Sequence, residues 1–66
     1  MNLLLFERHE LKGSFLRLTG RRAGHIMDVL ALRPGDSLRL GMINGGRGMG
    51  RVCRIEDGRV ELEVEL

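Results

Sequence analysis

The chain has 66 residues with 10 glycines, 42% hydrophobic residues and a formal net charge of +2, so it forms one domain at most, with a thin core. Its single cysteine, Cys53, excludes an internal disulfide, and the lack of a Cys/His cluster disfavours a metal site. The opening apolar run at residues 3–6 is too short for a signal peptide or a membrane span, so we expect a cytoplasmic protein without a membrane partner.

Two short strands are predicted before the only predicted helix. The run NLLLF at residues 2–6 is apolar without alternation, which fits a strand that is buried on both faces. The segment SFLRLTG at residues 14–20 alternates instead. It predicts a strand with Leu16 and Leu18 on one face and Phe15 and Arg17 on the other.

The helix is predicted to begin after Thr19, which is a good N-cap residue, and to end near Leu32. It ends there because Pro34 biases the preceding residue away from helical dihedral angles. Apolar residues recur at spacings of three and four, which predicts one buried helical face, widened by Val29. The members of this face are Ala23, Ile26, Met27 and Leu30.

A meander of three strands is predicted after the helix. The turns are RPGD, with glycine at the third position of a type II turn, then NGG and EDG. Glycines interrupt the middle strand, which predicts a bulge or a bend. After Arg59, the last strand, RVELEVEL, alternates inward apolar residues with outward glutamates, and the inward residues are Val60, Leu62, Val64 and Leu66. These strands are predicted over residues 36–43, 48–55 and 59–66.

The predicted order is therefore β-β-α-β-β-β, a mainly β fold with one helix (α+β). Five strands in so short a chain favour a small, partly closed β-barrel, because an open sheet would leave its edges unprotected. No polar or turn-like residue follows the last strand, so we expect this segment to be one part of a longer chain.

The basic residues concentrate in one part of the chain, and two of them, Arg21 and Arg22, lie in the first turn of the helix. Residues 8–54 hold ten basic and three acidic side chains, whereas residues 56–66 hold one basic and five acidic. The two arginines are either solvated and paired with Asp28 or a neighbouring strand, or they form an anion site with the free N–H groups of the helix. His25, one turn further, either packs at the border of the apolar face or contacts RNA.

Other arginines fall on the predicted meander, and they either follow a nucleic-acid backbone or pair with the glutamates of the last strand. The only aromatic residues are two phenylalanines, which disfavours binding of single strands on aromatic platforms. No nucleophile with spaced acid partners is present, so we expect no catalytic residue in this chain. The arginines of the meander are Arg39, Arg47, Arg51 and Arg54.

Three stretches, MNLLLFE, LTGRRAGHIMDVLALRPGDSLRL and MINGGRGMGRV, resemble the N-terminal segment of the RsmE family of 16S ribosomal RNA uridine N3-methyltransferases. The family pattern R-x-x-H-[LI]-x-x-V-L-R, a following GD and a D/N-G turn recur in order and spacing. Ala31 stands where the family usually has the last arginine of that pattern. The matching residues are Arg22, His25, Ile26, Val29, Leu30, Gly35, Asp36, Asn44 and Gly45.

The resemblance implies that residues 1–66 are a PUA-like RNA-binding domain that precedes a knotted SPOUT methyltransferase domain. In that family the second domain binds S-adenosylmethionine and forms the homodimer, so no cofactor is expected in this segment. The expected partner is 16S ribosomal RNA or the small ribosomal subunit. The alternative is a structural or protein-interaction module that does not bind RNA. The expected RNA contacts are Arg17, Arg21, Arg22, His25, Arg33 and Arg47.

Overall fold

Six strands and one short helix make up the computed structural model, which describes residues 3–66. Asn2, expected as the first residue of the first strand, lies outside the described residues. The observed order, β-β-β-α-β-β-β, has one more strand than the sequence predicts. The strands are β1 (Leu3–Phe6), β2 (Leu11–Lys12), β3 (Phe15–Leu18), β4 (Ser37–Met42), β5 (Arg47–Glu56) and β6 (Arg59–Glu65), and the helix is α1 (Gly20–Gly24), continued by a π-helical turn at His25–Val29.

The six strands form one sheet in the order β1-β4-β5-β6-β3-β2. Only β1 and β4 pair in parallel. The two edge strands, β1 and β2, are consecutive in the chain and are joined by Glu7 and a 3-10 turn at Arg8–Glu10. In a flat six-stranded sheet the two edge strands would lie about 24 Å apart. The five Cα–Cα steps from the end of β1 to the start of β2 span at most roughly 18 Å. The sheet therefore has to curl, and it forms a half-barrel.

The concave side of this half-barrel holds the core, which α1 covers. Leu16 and Leu18 are fully buried, as the alternation of β3 predicts. The predicted inward face of β6 is confirmed as far as Val64, but Leu66 is 53% exposed. The core residues are Phe6, Leu16, Leu18, Ala23, Ile26, Leu38, Leu40, Val52, Val60, Leu62 and Val64.

The expectation that the first strand is buried on both faces is wrong. Phe6 is fully buried, but Leu3 and Leu5 are 40% and 53% exposed. β1 is an edge strand, and the outer side of the sheet carries no covering element within residues 3–66. Its outward leucines therefore remain in contact with solvent, beside Arg39 and Gly41 of β4.

The helix is shorter than the spacing predicts and its second half is wound differently. The Leu30 amide donates to the His25 carbonyl at 2.9 Å, which closes an i to i+5 turn. Such a turn holds more residues than an α-helical one, so Val29 rotates off the buried face and is 68% exposed. Ala31 follows at a left-handed φ of 53° and ends the helix before its predicted end. Thr19 occupies the N-cap position, but its side chain makes no capping hydrogen bond.

The turns predicted at RPGD and EDG are confirmed, and in the hairpin turn at NGG only Asn44 has a positive φ, with the Gly45 amide donating to the Met42 carbonyl at 2.8 Å. Gly35 has a φ of 99°, and the Asp36 amide donates to the Arg33 carbonyl at 2.9 Å, as a type II turn requires. Asp57 and Gly58, both at positive φ, form the two-residue turn between β5 and β6.

The middle strand of the meander also has the predicted irregularity. Its pairing with β6 shifts register between Val52 and Arg54, which is the β-bulge. Gly48 lets the backbone at Glu65 pass close to β5. A Cβ atom at residue 48 would lie 2.0 Å from the Glu65 carbonyl oxygen. No helix within residues 3–66 is long and apolar enough to cross a membrane.

Candidate nucleic-acid interface

A groove of about 450 Å³ runs between β1 and α1. It brings together three of the predicted site residues, Arg21, Arg22 and His25, above an apolar floor. The helix positions them because its opposite face is anchored in the core through Ala23 and Ile26. The floor consists of Leu3, Leu4, Leu5, Leu30 and Leu38.

Arg22 is held within the protein. Its Nη1 donates to the Leu5 carbonyl at 3.2 Å and to Glu10 Oε2 at 3.0 Å, and its Nη2 pairs with Glu10 Oε1. Glu10 also accepts a hydrogen bond from the Glu7 amide at 2.8 Å. The Arg22 hydrogen bond is the main reason why the pKa of Glu10 falls to about 2, and the same bond raises the pKa of Arg22.

This ion pair joins the two edges of the curled sheet. Leu5 belongs to β1, and Glu10 lies directly before β2. Arg22 therefore ties α1 to both edge strands, and its charge is neutralised by a carboxylate. Of the two alternatives for the arginine pair, ion pairing describes Arg22, and its partner is Glu10 rather than Asp28.

Arg21 and His25 are exposed at the mouth of the groove. They lie four residues apart and so share one side of the helix. Neither side chain makes an ion pair or a hydrogen bond within residues 3–66. The half-buried packing considered for His25 is not observed, so both groups are free to meet a ligand.

A second groove of about 310 Å³ lies on the outer side of the sheet and shares Leu3 with the first. Arg39 and Arg47 line it with Met49, and neither arginine has an ion-pair partner within residues 3–66. Arg39 is the register partner of Leu3, and Arg47 is the partner of Gly41. The two arginines are thus diagonal neighbours on adjacent strands, with their Cα atoms about 7–8 Å apart.

Of the other meander arginines, Arg51 pairs with a glutamate of the last strand, as one of the two alternatives predicts, whereas Arg54 pairs with Glu56 of its own strand. Arg17, a predicted RNA contact, lies 3.5 Å from Glu61 and lines a separate polar basin with Arg54 and Arg59. Arg33 is exposed in the type II turn and lines neither groove. The other pairs are Arg51–Glu63 at 2.8 Å and Arg54–Glu56 at 3.1 Å.

Sequence reasoning missed three features of this surface. It did not identify Glu10 as the partner of Arg22, it did not place Arg39 in a groove, and it did not expect leucines of the first strand at the surface. The E-x-x-E spacing of Glu7 and Glu10 is a signal for the 3-10 turn, because it forms a capping box. Within residues 3–66, no group of three or more His, Cys, Asp or Glu residues is placed to hold a metal ion.

Comparison with known protein families identifies the fold. Residues 18–65 match the model of a family described as the RNA methyltransferase PUA domain. The chain belongs to this family. The mainly β fold with one helix is accordingly that of a small PUA-like barrel, and both grooves lie on the PUA domain.

A solved structure with the same fold as this PUA domain illustrates the likeness. It is described as "Crystal structure of an hypothetical protein", is 16% identical and superposes with a TM-score of 0.81. The alignment covers 98% of this chain but 28% of that one, so this chain spans less than a third of its length. A search of curated proteins gives no match.

Proposed function

We propose that this PUA domain binds RNA through the groove between β1 and α1 and orients it for a methyltransferase domain elsewhere in the same protein. The observation that carries the proposal is Arg21 beside His25 at the mouth of that groove, with no ion-pair partner for Arg21 among residues 3–66. Membership of a family of RNA methyltransferase PUA domains supports it.

The two arginines of the helix then have different tasks. Arg21 offers a guanidinium fork to a phosphate, which it can contact with two parallel hydrogen bonds. Arg22 fixes the position of the helix against β1 and adds little net charge, since Glu10 neutralises it. Arg39 and Arg47 extend the positive surface to the other side of β1.

The resemblance to the RsmE family supports a more specific role. The RNA would be 16S ribosomal RNA, alone or in the small subunit, and the reaction would be methylation of uridine N3. The parent protein would use S-adenosylmethionine and form a homodimer through its other domain. The contribution of residues 1–66 would be RNA binding alone, without catalysis.

The proposal is tested by fluorescence anisotropy with a labelled 16S ribosomal RNA fragment and two charge-reversed variants. Arg21→Glu is expected to weaken binding about tenfold or more, because a hydrogen bond to a charged group contributes roughly 1.5 kcal/mol. Arg59→Glu is the matched control, since Arg59 is exposed in the polar basin, outside both grooves. Equal losses in both variants, or no binding by the wild type, would contradict the proposal.

A second candidate function is docking to a protein, which the exposed Leu3, Leu5 and Met49 favour. It predicts self-association or binding to another domain without RNA affinity. Sedimentation velocity over a range of concentrations, with and without RNA, separates the two candidates.

A further inference from the structure

The exposed leucines of β1, Leu3 and Leu5, form an apolar strip between two groups of unpaired cations. We call these two residues the β1 step. Arg21 and His25 lie on its helix side, and Arg39 lies with Arg47 on its sheet side. An apolar strip with positive charge on both sides is complementary to a ligand that has an apolar centre and negative ends.

A fully paired RNA helix does not have this shape. Its bases are stacked inside, and it presents phosphates and riboses to a protein. Placing these polar groups on Leu3 and Leu5 would remove water from them without new hydrogen bonds, which is unfavourable. An unpaired nucleotide, in contrast, exposes the faces of its base between two phosphates.

The groove also contains a group on which a single base can stack. The His25 imidazole is planar, and rings of this kind stack on RNA bases, while the Arg21 guanidinium is left for a phosphate. Further stacking positions are scarce, because Phe6 is fully buried and Phe15 lies on β3, outside both grooves. The surface therefore suits one base better than a row of bases.

We propose that the groove between β1 and α1 receives one unstacked nucleotide from a loop or bulge of the RNA. Its base packs on the β1 step, one flanking phosphate contacts Arg21, and the other contacts Arg39 and Arg47. Arg39 is the register partner of Leu3 on β4, one strand spacing or about 5 Å from β1, so its long side chain can reach a phosphate that flanks a base on the β1 step. This inference rests on the proposed function.

The test compares three labelled RNA hairpins of the same length by anisotropy. The first is fully paired, the second has one unpaired nucleotide, and the third has an abasic residue at that position. The hairpin with the unpaired nucleotide is expected to bind about tenfold more tightly than the paired one. The paired hairpin has no free base that can stack in the groove and be buried there. The abasic hairpin is expected to lose most of that gain.

Two pairs of variants test the contacts. Leu5→Ser is expected to reduce the preference for the unpaired nucleotide. Val29→Ser is expected to leave it unchanged, since Val29 is 68% exposed against 53% for Leu5 but lies outside both grooves. Arg39→Gln is expected to weaken binding of that hairpin, and Arg59→Gln to leave it unchanged. Circular dichroism checks that each variant is folded.

The possible failures are distinguishable. If all three hairpins bind equally and Arg21→Glu weakens all of them, the nucleotide site is wrong while RNA binding stands. If Leu5→Ser and Val29→Ser lower the preference alike, the base does not contact the β1 step. If none of the hairpins binds, the proposed function itself fails, and this inference fails with it.

Discussion

Replacing Glu10 by glutamine removes the negative partner of Arg22 and nearly preserves the shape of the side chain. The pKa of Glu10 is lowered from its usual 4.5 to about 2, chiefly by the hydrogen bond from Arg22. Without solvent screening, a shift of this size corresponds to about 3.4 kcal/mol. The Arg22 side chain is 40% exposed, so water screens the pair, and we expect a loss of about 1–2 kcal/mol.

The effect must depend on pH in a definite direction. The carboxyl has a lower pKa in the folded state than in the unfolded state, so the ion pair stabilises the fold fully above the unfolded value of 4.5. That stabilisation is lost as the pH falls through the folded value of about 2. Urea denaturation of wild type and Glu10→Gln, followed by circular dichroism from about pH 7 downward, measures the difference in unfolding free energy.

The difference in unfolding free energy between wild type and Glu10→Gln isolates the contribution of Glu10, because the other carboxyl groups titrate in both proteins. We expect this difference to be largest at neutral pH and to vanish near pH 2. The control is Glu63→Gln, which breaks an exposed pair with Arg51 and should change stability little at any pH. A Glu10→Gln protein as stable as wild type at neutral pH, or a difference that stays constant with pH, would refute a structural role for Arg22.

Three further predictions concern the fold. Gly48→Ala should destabilise it by about 1–3 kcal/mol in urea denaturation, because the new Cβ atom would overlap the Glu65 carbonyl, whereas Gly46→Ala, in open space, should cost far less. Ala31→Gly should stabilise it by about 0.5 kcal/mol, since Ala31 has a left-handed φ; a loss of stability would show that this conformation is not strained. Ile26→Ala should lower the unfolding free energy by about 2–5 kcal/mol and Val29→Ala by less than about 0.5 kcal/mol, and equal losses would contradict the π-helical turn.

Local sequence patterns predict most of the sheet, because alternation and turn chemistry depend on neighbouring residues. The faces of β3, the type II turn at Gly35 and the inward residues of β6 are of this kind. β2 was missed because two residues carry no period. The exposure of Leu5 follows from the place of β1 at the sheet edge, which depends on a parallel pairing with residues 36 positions later.

Local pattern likewise predicts part of the candidate site, and the rest depends on contacts between residues far apart in the chain. The spacing of Arg21 and His25 places them on one side of a helix, and both indeed line the groove. The partner of Arg22 comes from a 3-10 turn twelve residues earlier, and no periodicity links the two. Arg39 reaches the surface next to Leu3 only through the pairing of β1 with β4.

The salt dependence of RNA binding tests most directly whether Arg21 contacts RNA while Arg22 serves the fold. Contact of Arg21 with one phosphate and of Arg39 and Arg47 with a second predicts a slope of log K against log salt of about −1.4 for a single strand, since each phosphate contributes roughly −0.7. In Arg21→Gln the slope should become shallower by about 0.7, whereas Arg22→Gln, measured where it is folded, should keep the wild-type slope. A slope unchanged in Arg21→Gln, or an equal change in Arg22→Gln, would contradict this assignment.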